Sequence, residues 1–306
     1  MAYLITTLGP KAAAELGVIL PHEHVFVDLR TWDQPGYGEG DPEDVVRLMT
    51  PQIDAARATG VTAIVEPSTV GVGRRADILL AVSEATGFPL VAPTGVYREP
   101  WLPPWVRDAG ENDLREWMIA ELTDEIENTG VQAGWIKVGS TDDGVTEMEA
   151  KVLRAAAGAA IETGATIGSH TVRGSVARNQ LDIIEAVGAP PDTFVWIHAH
   201  QEPDVAIHHE LGRRGTWIEY DGIGEPADDE RFIDLIQRGL DAGLEGRLLL
   251  SQDRGWYDPA QPGGGTPKPF TWLPEQFLPR LVDAGVDEET IDRLMRRNPF
   301  DAFARP

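Results

Sequence analysis

Short apolar segments alternate along the chain with longer segments in which apolar residues recur at helical spacing. The short segments, each followed by polar or turn residues, predict eight strands: Val18–Leu20, Thr62–Val65, Leu90–Pro93, Gly134–Val138, Ala165–Ser169, Phe194–Ile197, Thr216–Glu219 and Arg247–Ser251. The longer segments predict eight helices: Pro42–Thr59, Arg74–Thr86, Glu111–Asn128, Thr146–Glu162, Ser175–Val187, Pro203–Arg213, Asp228–Ala242 and Leu273–Ala284. The pattern therefore predicts a repeated βα unit.

This alternation favours an α/β fold of the (β/α)8 TIM barrel type, in which parallel strands form a closed sheet with the active site at their C-terminal ends. The main alternative is an open doubly wound sheet. A glycine-rich phosphate loop after the first strand would favour that alternative, but the chain has His22-Glu23-His24 there. We see no linker, so we predict one domain over residues 1–306.

Composition and charge narrow the possible partners. With 50 acidic and 26 basic residues the formal net charge is −24, which argues against nucleic acid and favours a neutral or weakly charged small-molecule substrate. The absence of cysteine excludes disulfides and zinc–thiolate sites, so any metal must be held by His, Asp, Glu or an unusual ligand. We find no apolar run of membrane-spanning length and no signal peptide, and we expect a cytoplasmic protein.

Polar side chains follow several of the predicted strands. The first strand precedes two histidines spaced i, i+2, which share one side of an extended segment and can chelate one ion. Each residue has a simpler explanation, such as a core histidine or a helix cap. On a barrel, however, these strand ends converge, and together they predict a metal site built from His22, His24, His170, His198 or His200, and Asp253.

Lys137 lies in the otherwise apolar segment Gly134–Gly139. An inward-facing ammonium group would have a large desolvation cost and would repel metal ions nearby. Loss of its proton, or conversion to an anion, would remove this conflict. Alternatively, the side chain extends to solvent from the end of the strand.

The order and spacing of these residues resemble the phosphotriesterase-like family of the amidohydrolase superfamily, and the resemblance spans the whole chain. The matching segments are Leu16-Gly17 with Pro21–His24, Val65–Thr69 with Gly73-Arg74, Pro93–Tyr97, Trp135–Gly139, and Asn298-Pro299. The resemblance implies a metal-dependent hydrolase of the lactonase, esterase or aryldialkylphosphatase type. It further implies that two divalent metal ions are bound by His22, His24, Lys137, His170, His198 and Asp253.

In this family the lysine reacts with CO2, so the resemblance implies that Lys137 becomes an N6-carboxylysine that bridges the two ions. His22, His24 and Asp253 would hold one ion, with His170 and His198 on the other. Asp253 could also orient the attacking water and accept its proton. We expect zinc, with manganese, cobalt or iron as alternatives.

The sixth strand leaves two histidines as possible ligands. Counting back from Arg214-Gly215, which matches an Arg-Gly pair in relatives, favours His198 as the ligand. His200 would then lie behind the ligands or face the substrate.

Substrate choice depends on the loops. Lactone-hydrolysing members of the family carry a tyrosine at the position of Tyr97, although a tyrosine there could also simply pack at the barrel rim. The segment Tyr220–Gly224 lacks the arginine that such lactonases show. Trp256 and Tyr257 suit an apolar substrate group or, alternatively, a homodimer interface.

We therefore expect hydrolysis of a lactone or related carboxylic ester, with promiscuous phosphotriester hydrolysis and with Asp253, Lys137 and Tyr97 as catalytic residues. The alternatives are a phosphotriester or amide hydrolase at the same site, and a catalytically silent barrel that binds a metal or small ligand.

Overall fold

The eight predicted barrel strands are present in the computed structural model, which describes all 306 residues. We number them one to eight: Val18–Leu20, Val61–Val65, Leu90–Val91 with Pro93–Thr94, Trp135–Gly139, Ile167–His170, Phe194–Ile197, Trp217–Tyr220 and Leu248–Leu250. Each agrees closely with its predicted segment. The βα repeat expected from the hydrophobic pattern is therefore present along the chain.

All neighbouring barrel strands pair in parallel. Strands one, two and the first half of three form one ladder, and the second half of three continues through strands four to eight in order. Strands one and eight meet through their extensions, because His24–Phe26 pairs in parallel with Gly255–Tyr257. This last pairing, which was not predicted, closes the barrel on the side where the candidate ligands lie.

Strand alternation decides which side chains enter the barrel. Trp135 and Trp217 belong to the apolar cluster that fills its lower interior. Two residues further along the same strands come Lys137 and Glu219, which therefore also point inward. A polar layer thus lies directly above the apolar core, at the C-terminal ends of the strands.

The helices pack outside the barrel, and their apolar faces join a second cluster of 62 buried residues. The crossover helices are Pro42–Ala58, Ala76–Thr86, Glu111–Thr123, Glu147–Thr163, Gly174–Val187, Val205–Arg214, Asp229–Asp241 and Leu278–Asp283. Shorter helices span Pro104–Asp108, Glu288–Asp292 and Asn298–Phe303, and π-helical turns span Leu273–Phe277 and Arg293–Arg297. No helix has the length and apolar character that crossing a membrane would require.

The predicted helix Glu111–Asn128 is too long. It ends at Thr123, and Glu127 and Asn128 adopt positive φ angles of 50° and 58°, which a helix does not accommodate. These residues turn the chain toward strand four.

The N-terminal hairpin, Leu4–Thr6 with Gly9–Lys11, was not predicted. Leu4 belongs to the same buried cluster as Phe303 of the last helix. The backbone N–H of Tyr3 donates to the carbonyl of Arg305 at 2.8 Å, so the two ends of the chain meet beneath the barrel.

Candidate active site

Three histidines are held in a common way by polar groups behind them. Nδ1 of His22 lies 2.7 Å from Oε1 of Glu219, and Nδ1 of His198 lies 2.8 Å from Oδ1 of Asp221. Nδ1 of His24 lies 2.7 Å from Oγ of Ser68, whose own proton goes to Glu66. Because these partners can accept a proton, each ring can donate from Nδ1, which leaves Nε2 as the nitrogen that would bind a metal ion.

His170 ends strand five and lies beside His198, with ring centroids 4.5 Å apart. Burial, together with the charges of His198 and Lys137, lowers the pKa of His170 well below its usual value. Burial likewise lowers the pKa of His22. Both imidazoles therefore stay neutral, as metal coordination requires.

Asp253 and His198 reach the site through unusual backbone geometry. Their φ angles are +52° and +64°, in the left-handed region that residues other than glycine seldom adopt. Such conformations persist where surrounding contacts impose them, frequently at functional sites. Here they occur just after strands eight and six and direct both side chains into the same cavity.

The carboxylate of Asp253 faces the first-strand histidines. Its Oδ1 lies 3.2 Å from Nε2 of His24 and 3.8 Å from Nε2 of His22. Burial alone would raise the pKa of Asp253, but its hydrogen bond with His24 and its proximity to the other histidines lower it well below its usual range. Burial opposes protonation of His24, yet Asp253 and Glu66 outweigh it and raise its pKa to about 9. A field that attracts a proton to this point also attracts a cation.

Lys137 is 3% exposed, inside the barrel, with no hydrogen bond or ion pair to its amino group. Its side chain lines the same cavity as the histidines. Burial lowers the pKa of Lys137 to about 8, although Glu219, Asp221 and Asp253 act in the opposite direction. The amine is thus much closer to neutrality than an exposed lysine.

Several polar residues around the site were not identified from the sequence. Glu219 is fully buried, and burial together with Asp221 raises its pKa well above the usual value. Glu23 accepts hydrogen bonds from Ser251 Oγ at 2.9 Å and from the N–H of Arg254 at 2.8 Å, which ties the first strand to the eighth. Glu219 could have been identified from the sequence, since it is an acidic residue at an inward position of an apolar strand.

These side chains enclose a cavity of about 130 Å³. The polar part of its lining comprises His22, His24, Lys137, His170, His198 and Asp253, which are the six residues predicted as metal ligands. The apolar part comprises Val27, Leu29, Pro67, Val72 and Trp256, with Tyr97 between the two. The cavity is small, so only a small group fits below its rim.

Tyr97 and Trp256 both contact candidate ligands. The Tyr97 ring packs edge-on against His170, with centroids 5.2 Å apart, and the Trp256 ring packs in the same way against His24 at 5.2 Å. Burial raises the pKa of Tyr97 to about 12, so its hydroxyl remains a hydrogen-bond donor at neutral pH. Both residues, which the sequence analysis expects to contact the substrate, line the cavity.

Two residues predicted to contact substrate do not line the cavity. Tyr257 follows Trp256 on the extension of strand eight, so alternation turns it to the opposite face, where it stacks on Phe26 at 5.6 Å. Nδ1 of His200 lies 3.2 Å from Asp221, and its ring fills the space above Gly222, where a Cβ would come within 2.5 Å of Nε2. Of the two strand-six histidines, only His198 faces the cavity.

The chain is similar over nearly its whole length to proteins of a known family. The sequence model of the Phosphotriesterase family matches residues 2–303. A phosphotriesterase homology protein from Mycobacterium tuberculosis is 29% identical, with 100% of this chain and 98% of the relative covered. An aryldialkylphosphatase from Saccharolobus solfataricus is 26% identical, with 95% and 96% covered.

Among solved structures, a mutant of a phosphotriesterase-like lactonase from Deinococcus radiodurans has a TM-score of 0.88 and 32% identity, covering 99% of this chain and 100% of that one. The barrel predicted from the hydrophobic pattern is thereby confirmed. The similarity extends over nearly the whole length of both chains.

Proposed function

Since the chain belongs to the phosphotriesterase family and is a metal-dependent hydrolase, we propose that its substrate is a lactone or a related carboxylic ester. We further propose that residues 1–306 act as one catalytic domain, which the pairing of Tyr3 with Arg305 supports. The observation that carries the substrate proposal is a protonated Tyr97 beside a cluster of ligand-type side chains in one small cavity. The lactonase name of a structural neighbour favours the same substrate class.

The donor atoms fit a centre of two divalent ions. Nitrogen and carboxylate donors suit zinc, manganese, cobalt or iron, and three of the imidazoles already have Nδ1 bound to an acceptor. We assign His22, His24 and Asp253 to one ion and His170 and His198 to the other. Divalent ions bound there would supply Lewis acidity, which lowers the pKa of water and polarises an ester carbonyl.

We propose that Lys137 is carboxylated and would then contribute its two carbamate oxygens to the metal site. Carbamate formation consumes a neutral amine, and an amine with a pKa of about 8 is unprotonated in roughly a fifth of molecules near pH 7.4. The ammonium group first loses one proton, and the neutral amine then reacts with CO2, which forms a nitrogen–carbon bond and releases a second proton. A buried cation thereby becomes an anion. This change suits a site that must bind cations.

The remaining chemistry falls to Asp253 and Tyr97. Asp253 accepts a proton from the attacking water and passes it to the ring oxygen of the lactone when the acyl–oxygen bond breaks, which yields a hydroxy acid. The Tyr97 hydroxyl donates a hydrogen bond to a substrate oxygen that gains negative charge. Trp256 and the apolar residues near it position the remainder of the substrate.

Phosphotriester hydrolysis is a secondary activity that the same groups would support, in line with the aryldialkylphosphatase name of one relative. The test is to measure the metal content of the purified protein and assay it against γ- and δ-lactones, aryl esters, phosphotriesters and N-acyl amides. We expect two divalent ions per chain and the highest kcat/KM on a lactone or ester. Loss of activity on chelation and its return with zinc, manganese or cobalt would agree with this. Full activity without bound metal, or a clear preference for phosphotriesters or amides, would overturn it.

A further inference from the structure

Arg98 follows Tyr97, which lines the cavity, but is not itself part of the lining, and it has no acidic partner. Its guanidinium lies 5.8 Å from the centroid of the Tyr97 ring and 5.3 Å from that of Trp101. Its Nε is buried without a hydrogen-bond partner, and the side chain forms no ion pair. The charge is therefore partly removed from water without compensation from a carboxylate.

Arg98 forms no ion pair although the chain has 50 acidic residues for 26 basic ones. Two of the neighbouring carboxylates, those of Glu99 and Glu149, are hydrogen-bonded to other groups. Glu99 accepts a hydrogen bond from Nη1 of Arg107 at 2.8 Å, and Glu149 accepts hydrogen bonds from the backbone of Glu99, Thr141 and Thr146. The acidic residues of the next loop, Asp142 and Asp143, are exposed.

The surroundings hold Arg98 close to where substrate would bind. A Cβ placed on Gly139, at the end of strand four, would meet the Tyr97 ring at 3.3 Å and Cβ of Arg98 at 3.4 Å, so both residues rest closely on that strand. The other face of the Tyr97 loop is covered by Trp101, whose Nε1 donates to the carbonyl of Leu29 at 2.8 Å. Leu29 itself lines the cavity.

We propose that Arg98 is a specificity-determining residue that binds an anionic group, such as a carboxylate, on the substrate. This inference rests on the proposed function, because it assumes that the substrate enters the cavity beside Tyr97. A planar guanidinium matches the two oxygens of a carboxylate and gives a charge-assisted, bidentate contact. The apolar part of the cavity lining, which includes Val27 and Val72, offers no such contact.

The net charge of −24 does not oppose this inference strongly. At physiological ionic strength charges are screened beyond roughly 8 Å, so the distant acidic surface contributes little at the cavity rim. The distant acidic surface therefore does not prevent an anionic group from reaching Arg98. The net charge favours a neutral or weakly charged substrate, and the inference adds one anionic group to that substrate.

The test uses two γ-lactones that differ only in a ring substituent, a carboxylate in one and a primary carboxamide in the other. We expect the protein to prefer the carboxylate. Arg98→Gln should lower kcat/KM for the carboxylate roughly tenfold to a hundredfold, mainly through KM, while the carboxamide changes less than about twofold. Arg98→Lys should retain part of the preference, since it keeps the charge but loses the planar fork.

Arg213→Gln is the matched control, because Arg213 is an exposed arginine on the helix Val205–Arg214, outside the barrel, and forms no ion pair. It should leave the preference unchanged. If Arg98 only holds the loop by stacking on Tyr97 and Trp101, then Arg98→Gln will reduce both substrates equally and lower Tm, which would overturn the inference.

A binding measurement separates this inference from the proposed function. By calorimetry, the unreactive cyclic ethers tetrahydrofuroate and its carboxamide report anion recognition without turnover. If Arg98→Gln binds the acid more weakly than the parent protein does but binds the carboxamide equally well, the inference is supported. This holds even if neither lactone is hydrolysed, in which case only the proposed function fails. Hydrolysis of both lactones at equal kcat/KM, or unchanged affinity for the acid in Arg98→Gln, overturns the inference and leaves the proposed function intact.

Discussion

Lys137 is the residue on which the proposed metal centre depends most. It occupies an inward position of strand four, two residues after Trp135, so its side chain cannot reach solvent along the strand. A protonated amine there would repel cations and offers no lone pair, whereas a carbamate would supply two anionic oxygens. The function of the cavity therefore depends on the chemical state of one nitrogen.

Replacing Lys137 with alanine should remove the bridging oxygens. We expect Lys137→Ala to lose bound metal and to lower kcat by at least about a hundredfold, a range seen when metal-site support is removed. Because the substitution also opens space, acetate or propionate should enter it and restore part of both metal content and activity. Elemental analysis and rate measurements with and without the acid test this.

Lys268→Ala serves as the control, because Lys268 is exposed and should show neither the loss nor the rescue. Full metal content and normal turnover in Lys137→Ala without added acid would contradict the carbamate assignment.

Single residues also show what sequence reasoning can and cannot predict at this site. The six predicted ligands line one cavity, because each is a polar residue at the end of an apolar strand and barrel topology brings such ends together. Tyr257 lies outside the cavity lining because its strand, Gly255–Tyr257, forms by pairing with His24–Phe26, a long-range contact without a local signal. His200 lies away from the cavity because His198 adopts a left-handed backbone conformation, which interrupts strand alternation.

At the level of elements, strand three is the irregular member of the barrel. It is broken into Leu90–Val91 and Pro93–Thr94, and Gly95 follows with a φ of +99°. A Cβ on Gly95 would come within 2.3 Å of the carbonyl oxygen of Lys137. The hydrophobic pattern predicted this strand, but the close approach at its end depends on the register with strand four, which a local pattern does not determine.

Gly95→Ala should therefore damage the site as well as the fold. The added methyl group must push strand three away from strand four, which would displace both Lys137 and Tyr97. Gly60→Ala is a close control, since Gly60 has a φ of +93° and a Cβ placed on it would have no atom within 4 Å. We expect the control to lose about 1–2 kcal/mol of stability from backbone strain alone.

Gly95→Ala should lose more stability than Gly60→Ala and should also lower kcat/KM, whereas the control keeps normal activity once folded. Urea unfolding and steady-state kinetics on both variants measure this difference. Equal stability loss with unchanged activity would show that the strands separate without moving the site.

For the whole molecule, pH acts through buried groups that join the outer helices to the barrel. His208, on the helix Val205–Arg214, is fully buried, with Nδ1 at 2.9 Å from the Tyr220 hydroxyl and Nε2 at 3.1 Å from the carbonyl of Glu202. The carbonyl accepts a proton from Nε2, so Nδ1 accepts from Tyr220 and the ring is neutral. Burial lowers the pKa of His208 to about 4.

The folded protein should consequently lose stability as the pH falls. Because the folded pKa of His208 lies below the unfolded value near 6.5, its contribution is complete above pH 6.5 and is lost progressively down to about pH 4. Between pH 7.5 and pH 5 the expected loss from this residue is about 2 kcal/mol. Urea unfolding of the metal-saturated protein and of His208→Gln at both pH values isolates the contribution of His208 to the free energy of unfolding, since other titrating groups cancel in the difference.

The variant should be less stable than the parent protein at pH 7.5, but its free energy of unfolding should depend less steeply on pH. If the free energy of unfolding changes equally with pH in the parent protein and in His208→Gln, His208 does not link protonation to folding. The acid sensitivity of the molecule must then come from its other buried groups.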